Sequence, residues 1–266
     1  MIIPKYPLIT SQQNPIFKDL QAALEGESES VLVHGLKVAR DLIGKGFRPK
    51  TLVLRESFSL EKSKSAAELV LTRFENPVSR VVLNDALFDQ VDPFGVPDMI
   101  VAMERPKIPM WDPKKSASAL IVATQNPANL GACLRSAAAF GVKNVICLKE
   151  AASPYHPRTV RGSMGLVFDL NITKGPSIRE LAKTLAENPE LTKRLVALDM
   201  DGTELSKFKW PKDALILIGE EGAGVPESFA GERVRIPMQS GVESLNAAVS
   251  AGIALYDWSV KNGKQG

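Results

Sequence analysis

Three stretches of this 266-residue sequence gather residue types suited to binding and turning over polar ligands. The first is Gln125-Asn126-Pro127-Ala128-Asn129-Leu130-Gly131-Ala132-Cys133-Leu134-Arg135-Ser136. It joins the Asn129 amide to the Arg135 guanidinium, about one and two-thirds helical turns further on. Asn129 suits a helix cap or a substrate group, and Arg135 suits an anion. Taken alone, the stretch reads as a capped helix with a solvent-facing arginine. The second, Leu215-Ile216-Leu217-Ile218-Gly219-Glu220-Glu221-Gly222-Ala223-Gly224-Val225-Pro226, runs an apolar strand straight into a loop of three glycines and two carboxylates. Glycines admit close backbone approach and positive φ. Two acids disfavour phosphate and favour a cationic or hydroxyl-rich ligand, although an ordinary strand-to-helix turn fits these residues equally well. The third, residues 235–252, carries a strand into a polar loop and a small-residue helix that Ser244 or Asn246 would cap.

The elements that must position these residues alternate along the chain. Ala119 to Ala123 is a continuous apolar run, as in a strand buried on both faces of a parallel sheet. A helix is predicted over Leu130–Phe140, strands over Asn144–Leu148, Leu195–Leu198, Leu215–Ile218 and Val234–Ile236, and a last helix over Leu245–Trp258. Strands separated by helices predict an open, mostly parallel sheet, with ligands beyond the carboxyl ends of its strands. Gly131, Ala132, Ser136, Ala137, Ala138 and Ala139 make the helix of the first stretch slim, so another backbone or a partner chain can approach it closely.

Residues 105–116 hold three prolines within eight positions and read as an extended linker. Before it, Asn14-Pro15 opens a helix to about Leu24. Strands follow at Val31–Val33, Thr51–Leu54, Val78–Leu83 and Met99–Met103, with helices at Leu36–Ile43, Ala66–Phe74 and Asp85–Gln90. This segment is a small α/β domain of ordinary size.

Composition excludes several classes. With 44% hydrophobic and 24% charged residues the chain is globular, and no apolar run approaches the ~20 residues of a membrane span. The N-terminus shows no secretory signal, so the expected location is the cytoplasm. Two cysteines, Cys133 and Cys147, form no CxxC pair, and two histidines, His34 and His156, lie far apart, so no metal is expected. No GxGxxG follows a strand and no GxxxxGK[ST] occurs, which argues against a dehydrogenase or a P-loop enzyme. The net charge of +3 is uneven: residues 1–105 hold 13 Lys+Arg against 14 Asp+Glu, and residues 106–266 hold 20 against 16. Positions 35–55 carry Lys37, Arg40, Lys45, Arg48, Lys50 and Arg55 against Asp41 alone. That cluster is either a phosphate-backbone patch or a solvated face.

Together the three stretches resemble the SpoU (TrmH-like) branch of the SPOUT RNA methyltransferases. The matching motifs are NPANLGACLRSAAAFGV at 126–142, LILIGEEGAGVP at 215–226 and RIPMQSGVESLNAAVSAGIAL at 235–255. Arg158-Thr159-Val160-Arg161-Gly162-Ser163-Met164-Gly165 is similar to the family's segment between the first two motifs, and the resemblance covers residues 119–258. The N-terminal part looks like the L30e-like RNA-binding domain of many members, with His34 where relatives usually carry glutamate before the glycine.

The resemblance implies an L30e-like RNA substrate-binding domain over residues 1–105, a linker over 106–117 and an α/β trefoil-knot methyltransferase domain over 118–266. It implies S-adenosylmethionine held by backbone at Gly219, Ile236 and Leu245, with Leu198 beside them. It implies methyl transfer to a ribose 2′-hydroxyl of RNA, ribosomal RNA before transfer RNA, by a homodimer paired through the C-terminal domain. Arg135 takes the central catalytic place, with Asn129, Glu221, Ser244 and Asn246 organising the site, and Lys37, Arg40, Arg158 and Arg161 contacting RNA. Arginine stays protonated at neutral pH. The reading adopted is therefore that Arg135 holds a phosphate and stabilises the developing alkoxide. The alternative is a non-catalytic RNA-binding or ribosome-assembly protein that keeps the fold, against which the five intact polar motif positions argue.

Overall fold

The computed structural model describes residues 6–58, 68–69, 72, 74, 77–97, 99–115, 117–220 and 222–263. The chain divides into two compact units, Met1–Pro106 with Tyr155–Pro157, and Lys107–Pro154 with Arg158–Gly266.

In the first unit β1 (Leu8–Ile9) leads to α1 (Pro15–Glu25). Asn14 caps α1 by accepting from the Ile16 amide at 2.9 Å, Pro15 presets its first turn, and Gly26 ends it at φ 80°. There follow β2 (Ser30–His34), α2 (Leu36–Gly44), β3 (Pro49–Arg55), β4 (Ser79–Leu83), α3 (Asp85–Val91) and β5 (Met99–Glu104). The strands lie in the order β1-β4-β3-β5-β2, the first three parallel and β5 antiparallel to both its neighbours. Of the helix predicted over Ala66–Phe74, Glu68 and Leu69 are helical, and most of the rest lies outside the described residues. His34 is buried; its Nε2 donates to the Val91 carbonyl at 2.9 Å and its ring meets Phe94 edge-on. The histidine that departs from the family pattern thus serves this unit's interior.

The second unit runs through β6 (Ala119–Val122), α4 (Pro127–Ala139), β7 (Asn144–Cys147), α5 (Pro157–Gly162), β8 (Asn171–Lys174), α6 (Ile178–Ala186), α7 (Pro189–Thr192), β9 (Leu195–Glu204), β10 (Leu215–Ile218), β11 (Glu232–Arg235) and α8 (Ala247–Lys261). Its strands lie in the order β11-β9-β10-β6-β7-β8, and every pair is parallel. β6 and β10 are buried at every position, which is why they are apolar throughout instead of alternating. Burying each such Leu or Ile side chain stabilises the unit by about 1.5–3 kcal/mol. Fully buried Trp258 anchors α8, its indole Nε1 donating to the Pro211 carbonyl at 3.2 Å.

One local expectation is corrected and another is extended. The cap of α4 is Asn126, whose side chain accepts from the amides of Ala128 (2.8 Å) and Asn129 (3.3 Å). The helix therefore starts three residues before the predicted Leu130, and Asn129 lies within its first turn, where its side chain does not serve as the cap. Asn126-Pro127 repeats the signature of Asn14-Pro15. The proline-rich segment is likewise more than a spacer. The Trp111 amide donates to the Lys174 carbonyl at 2.8 Å, and the Lys174 amide donates to the Pro109 carbonyl at 2.9 Å, so this stretch bonds to the end of β8.

The slim face of α4 is used within its own unit. A Cβ on Gly131 would lie 2.7 Å from the Thr159 carbonyl oxygen and 2.9 Å from the Gly162 Cα, both backbone atoms of α5. Alanine would gain about 1 kcal/mol of helix propensity but force two backbones apart, a strain of about 1–3 kcal/mol. Gly131→Ala should therefore lower stability in urea unfolding, whereas exposed Gly44→Ala in α2, with open space around its Cβ position, should not.

Candidate active site

A cavity of about 690 Å³ opens at the carboxyl ends of β10 and β11, beside the middle of β9, and is closed by the start of α8 and by Asn129 of α4. Its place follows from topology. From β6 the chain proceeds through β7 and β8 on one side, then crosses to β9 and inserts β10 between β9 and β6. Loops leaving strands on either side of such a switch diverge and leave a crevice.

Backbone approach shapes the β10 wall. Glu220 and Gly224 exchange amide-to-carbonyl bonds of 3.1 and 3.0 Å, pinching the loop, with Gly222 at φ 92° and Gly224 at φ 68°. A Cβ on Gly219 would stand 2.5 Å from the Gly224 carbonyl oxygen, so the strand exit requires glycine. On the opposite wall β9 leaves its ladder with β11. Arg233 pairs with Ala197, but the next residue, Val234, pairs with Thr203, so Leu198–Gly202 form an excursion. Leu198, Asp199, Met200 and Asp201 of that excursion line the cavity.

A third wall comes from α8. Asn246 caps this helix by accepting from the amides of Ala248 (2.9 Å) and Val249 (3.3 Å). Its Nδ2 donates across to Asn129 Oδ1 at 3.0 Å. One side chain thus fixes the start of α8 and ties it to α4, joining residues 117 positions apart in sequence.

Seven residues singled out from the sequence meet here: Asn129, Leu198, Gly219, Ile236, Ser244, Leu245 and Asn246. Arg135 is not among the lining residues and is exposed on α4. Arg158 and Arg161 are exposed on α5, and Lys37 and Arg40 on α2 of the first unit. Glu221 lies outside the described residues. Sequence reasoning missed the excursion, including Asp199 and Asp201, and it missed Arg233. It ended β9 at Leu198, the last residue of the apolar run, and the excursion beyond it exists only as a jump in pairing with β11.

Among the described residues, Asp199, Asp201, Glu220 and Glu227 line the cavity with Arg233 as the one lining cation, and Arg233 is paired to Asp199. Further along β9, the Ser206 hydroxyl and then Lys207 hold the Glu204 carboxyl below the usual range, with Arg235 of β11 3.8 Å away. Among the described residues there is no group of three or more His, Cys, Asp or Glu able to hold a metal ion. Burial pushes the Cys147 thiol up to about 12, which removes it as a nucleophile at neutral pH. The described chemistry is that of carboxylates, amides and backbone.

The family model for the SpoU rRNA methylase family matches residues 117–256, the span that contains every wall of this cavity. The chain belongs to the SpoU family. It is 30% identical over 269 residues to the 23S rRNA (uridine(2479)-2′-O)-methyltransferase of Streptomyces viridochromogenes, covering 94% of this chain and 90% of that one. It is 37% identical over 183 residues to ribosomal RNA small subunit methyltransferase G 2 of Syntrophobacter fumaroxidans, covering 68% of this chain; that match spans only 35% of the relative's length. The crystal structure of the SpoU methyltransferase AviRb from Streptomyces viridochromogenes, in complex with AdoMet, matches with a TM-score of 0.72 at 27% identity. That match covers 95% of this chain and all of that one (100%).

The double duty of Asn246 can be separated in this SpoU chain. Asn246→Ala loses the cap and should cost about 1 kcal/mol in urea unfolding. Asn246→Asp keeps a capping oxygen but no longer donates to Asn129, so it should unfold within about 0.5 kcal/mol of the native chain while uncoupling α8 from α4. Equal destabilisation by both substitutions would show that the link to Asn129, and not the cap, carries the stability.

Proposed function

We propose that this chain transfers a methyl group from S-adenosylmethionine to a ribose 2′-hydroxyl of ribosomal RNA. The observation that carries the reading is the convergence of Asn129, Gly219, Ile236, Ser244, Leu245 and Asn246 on one cavity at the carboxyl ends of parallel strands, in a SpoU chain. The cavity suits the cofactor chemically. Its carboxylates match ribose hydroxyls and positive charge, and the strand exits at Gly219 and Ile236 offer backbone groups to a base. When bound, S-adenosylmethionine supplies an electrophilic methyl group on a positively charged sulfur.

The residues of the chain do the rest. Backbone at Gly219, Ile236 and Leu245 holds the cofactor, with Leu198 beside it. Asn129, Ser244 and Asn246 order the polar side of the cavity and place the ribose, and the family resemblance gives Glu221 the same task. Arg135 grips a substrate phosphate with its planar fork and stabilises charge developing on the 2′-oxygen, while phosphate or water takes the proton. Bringing the hydroxyl into line supplies much of the acceleration.

The reading extends to the whole molecule. The six-strand order, with β10 inserted between β9 and β6, supports a knotted connection in the second unit. The mixed five-stranded first unit, with exposed Lys37 and Arg40 on α2, supports an L30e-like RNA-binding role alongside Arg158 and Arg161. On α8, Val249, Tyr256 and Val260 are 50%, 56% and 42% exposed at positions i, i+7 and i+11. That apolar stripe supports pairing of two copies through the second unit. Among the described residues no helix is long and apolar enough to cross a membrane, and a ribosomal RNA substrate supports a cytoplasmic location.

Incubation with methyl-labelled S-adenosylmethionine and total RNA should put label on ribose 2′-oxygens of ribosomal RNA. RNA binding without label would favour the non-catalytic alternative. Arg135→Ala should lower single-turnover methylation by about 10²–10³ while leaving cofactor affinity nearly unchanged, and Arg135→Lys should rescue little. Loss of cofactor binding in Arg135→Ala would move this residue to the cofactor side. Alanine at Arg158 or Arg161 should reduce the log–log salt slope of RNA binding by roughly 0.7–0.9 for every phosphate no longer neutralised.

A further inference from the structure

Arg233 lies outside the segments that the sequence analysis singled out, yet it touches two walls of the cavity at once. It sits on β11 at the step where the partner on β9 jumps from Ala197 to Thr203. Its Nη1 is ion-paired and hydrogen-bonded to Asp199 Oδ2, in the middle of the β9 excursion. Its Nη2 donates to the Pro226 carbonyl at 2.8 Å, at the exit of the glycine loop that follows β10. The guanidinium also lies 5.6 Å from the centre of the Phe229 ring, which limits its swing. Both anchored segments line the cavity, and so does Arg233 itself.

We infer that Arg233 is a positioning residue for the cofactor pocket, a two-point clasp that sets the β9 excursion and the β10 glycine loop at a fixed spacing before any ligand arrives. The physical need is clear. Leu198–Gly202 have given up their ladder partners on β11, and the loop from Gly219 to Pro226 is built on glycines with wide conformational freedom. Without an outside tie, each wall would lose conformational entropy on binding, and affinity would fall by that amount. The close fit of Gly202 against β11 holds the base of the excursion: a Cβ there would lie 2.4 Å from the Arg233 carbonyl carbon. The Asp199 ion pair reaches across from β11 to the middle of the excursion. Arginine suits the task because one planar group presents two donors to two different elements; a lysine ammonium holds one of them well and the other poorly.

The inference rests on the proposed cofactor, and the test keeps the two separable. S-adenosylmethionine is titrated calorimetrically into the full-length native chain, Arg233→Met, Arg233→Lys and Asp199→Asn, and amide exchange is followed on each without ligand. Native binding is expected, with a Kd raised on the order of 10- to 100-fold in Arg233→Met. Arg233→Lys should recover only a minor part, and Asp199→Asn should show a smaller loss that is not additive with Arg233→Met. Steady-state methylation should show KM for S-adenosylmethionine rising while kcat at saturation holds within about threefold. Amides of 198–202, 219, 220, 222–225 and 227 should exchange faster in ligand-free Arg233→Met while those of β6 and β7 are unchanged. Native-like affinity in Arg233→Met, or full recovery by lysine, would overturn the clasp. So would exchange that rises uniformly across the unit. Should Arg233→Met fail to fold, Asp199→Asn decides alone, since it keeps the hydrogen-bond acceptor and removes only the charge; native affinity there counts against the inference. A native chain that does not bind S-adenosylmethionine overturns the cofactor reading instead.

Discussion

Parallel pairing is the constraint from which the rest of the second unit follows. A strand can join a parallel neighbour only if the chain returns across the sheet, so each connection must cover a face, and all carboxyl ends lie along one edge. With both faces covered, β6 and β10 have no wet side, and their sequences contain no polar residue. The same constraint gathers at one edge the loops that leave β10 and β11, beside the β9 excursion. Strand direction put the loops after β10 and β11 there, and the break in β9 pairing added the opposite wall. What remained for side chains to do was to fix distances between neighbouring loops. The Asn246–Asn129 bond and the Arg233 interactions with Asp199 and Pro226 do so with directional, short-range groups.

The parts legible in the sequence are those in which local pattern and tertiary role agree. The apolar runs at 119–122 and 215–218 announced buried parallel strands because burial on two faces leaves a continuous pattern. The glycine loop after β10 was legible because close backbone approach has no other cheap solution. The cap of α4 was misplaced by three residues: Asn126 and Asn129 both have a capping side chain, and the choice falls to Asn126 because Pro127 after it fits the first helical turn. The β9 excursion was illegible for a different reason. Its residues are extended like the strand they interrupt, and the interruption exists only as a jump in pairing with β11, a strand about 30 residues further along. Pairwise register between distant segments leaves no periodic trace. Helix α6 was also missed, although Ser177 and Glu180 form a reciprocal capping box there.

Charge is partitioned in a way that suits two chemically different ligands. The described cavity wall is acidic, and its one lining cation is spoken for by Asp199. The exposed cations considered for RNA, Arg135, Arg158 and Arg161 in this unit and Lys37 and Arg40 in the other, all stand outside that lining. An acidic hollow repels a phosphate backbone while basic side chains attract it, a partition that fits the proposed pair of ligands, a polyanion outside and a small cationic cofactor within.

The bond between the proline-rich segment and β8 bears on how this unit avoids sticking to its neighbours. β8 is the outermost strand on its side, and an uncovered border of a sheet is a template for strands of other molecules. Pro109 and Trp111 occupy the amide and the carbonyl, respectively, of Lys174, the last residue of β8, and prolines at 109 and 113 prevent the covering segment from becoming a regular strand that would offer a new border in turn. Where the chain is cut therefore matters for its colloidal behaviour. A fragment begun at Lys107 retains its shield, whereas one begun at Ser118 bares that end of β8 to intermolecular β-pairing and the aggregation it seeds.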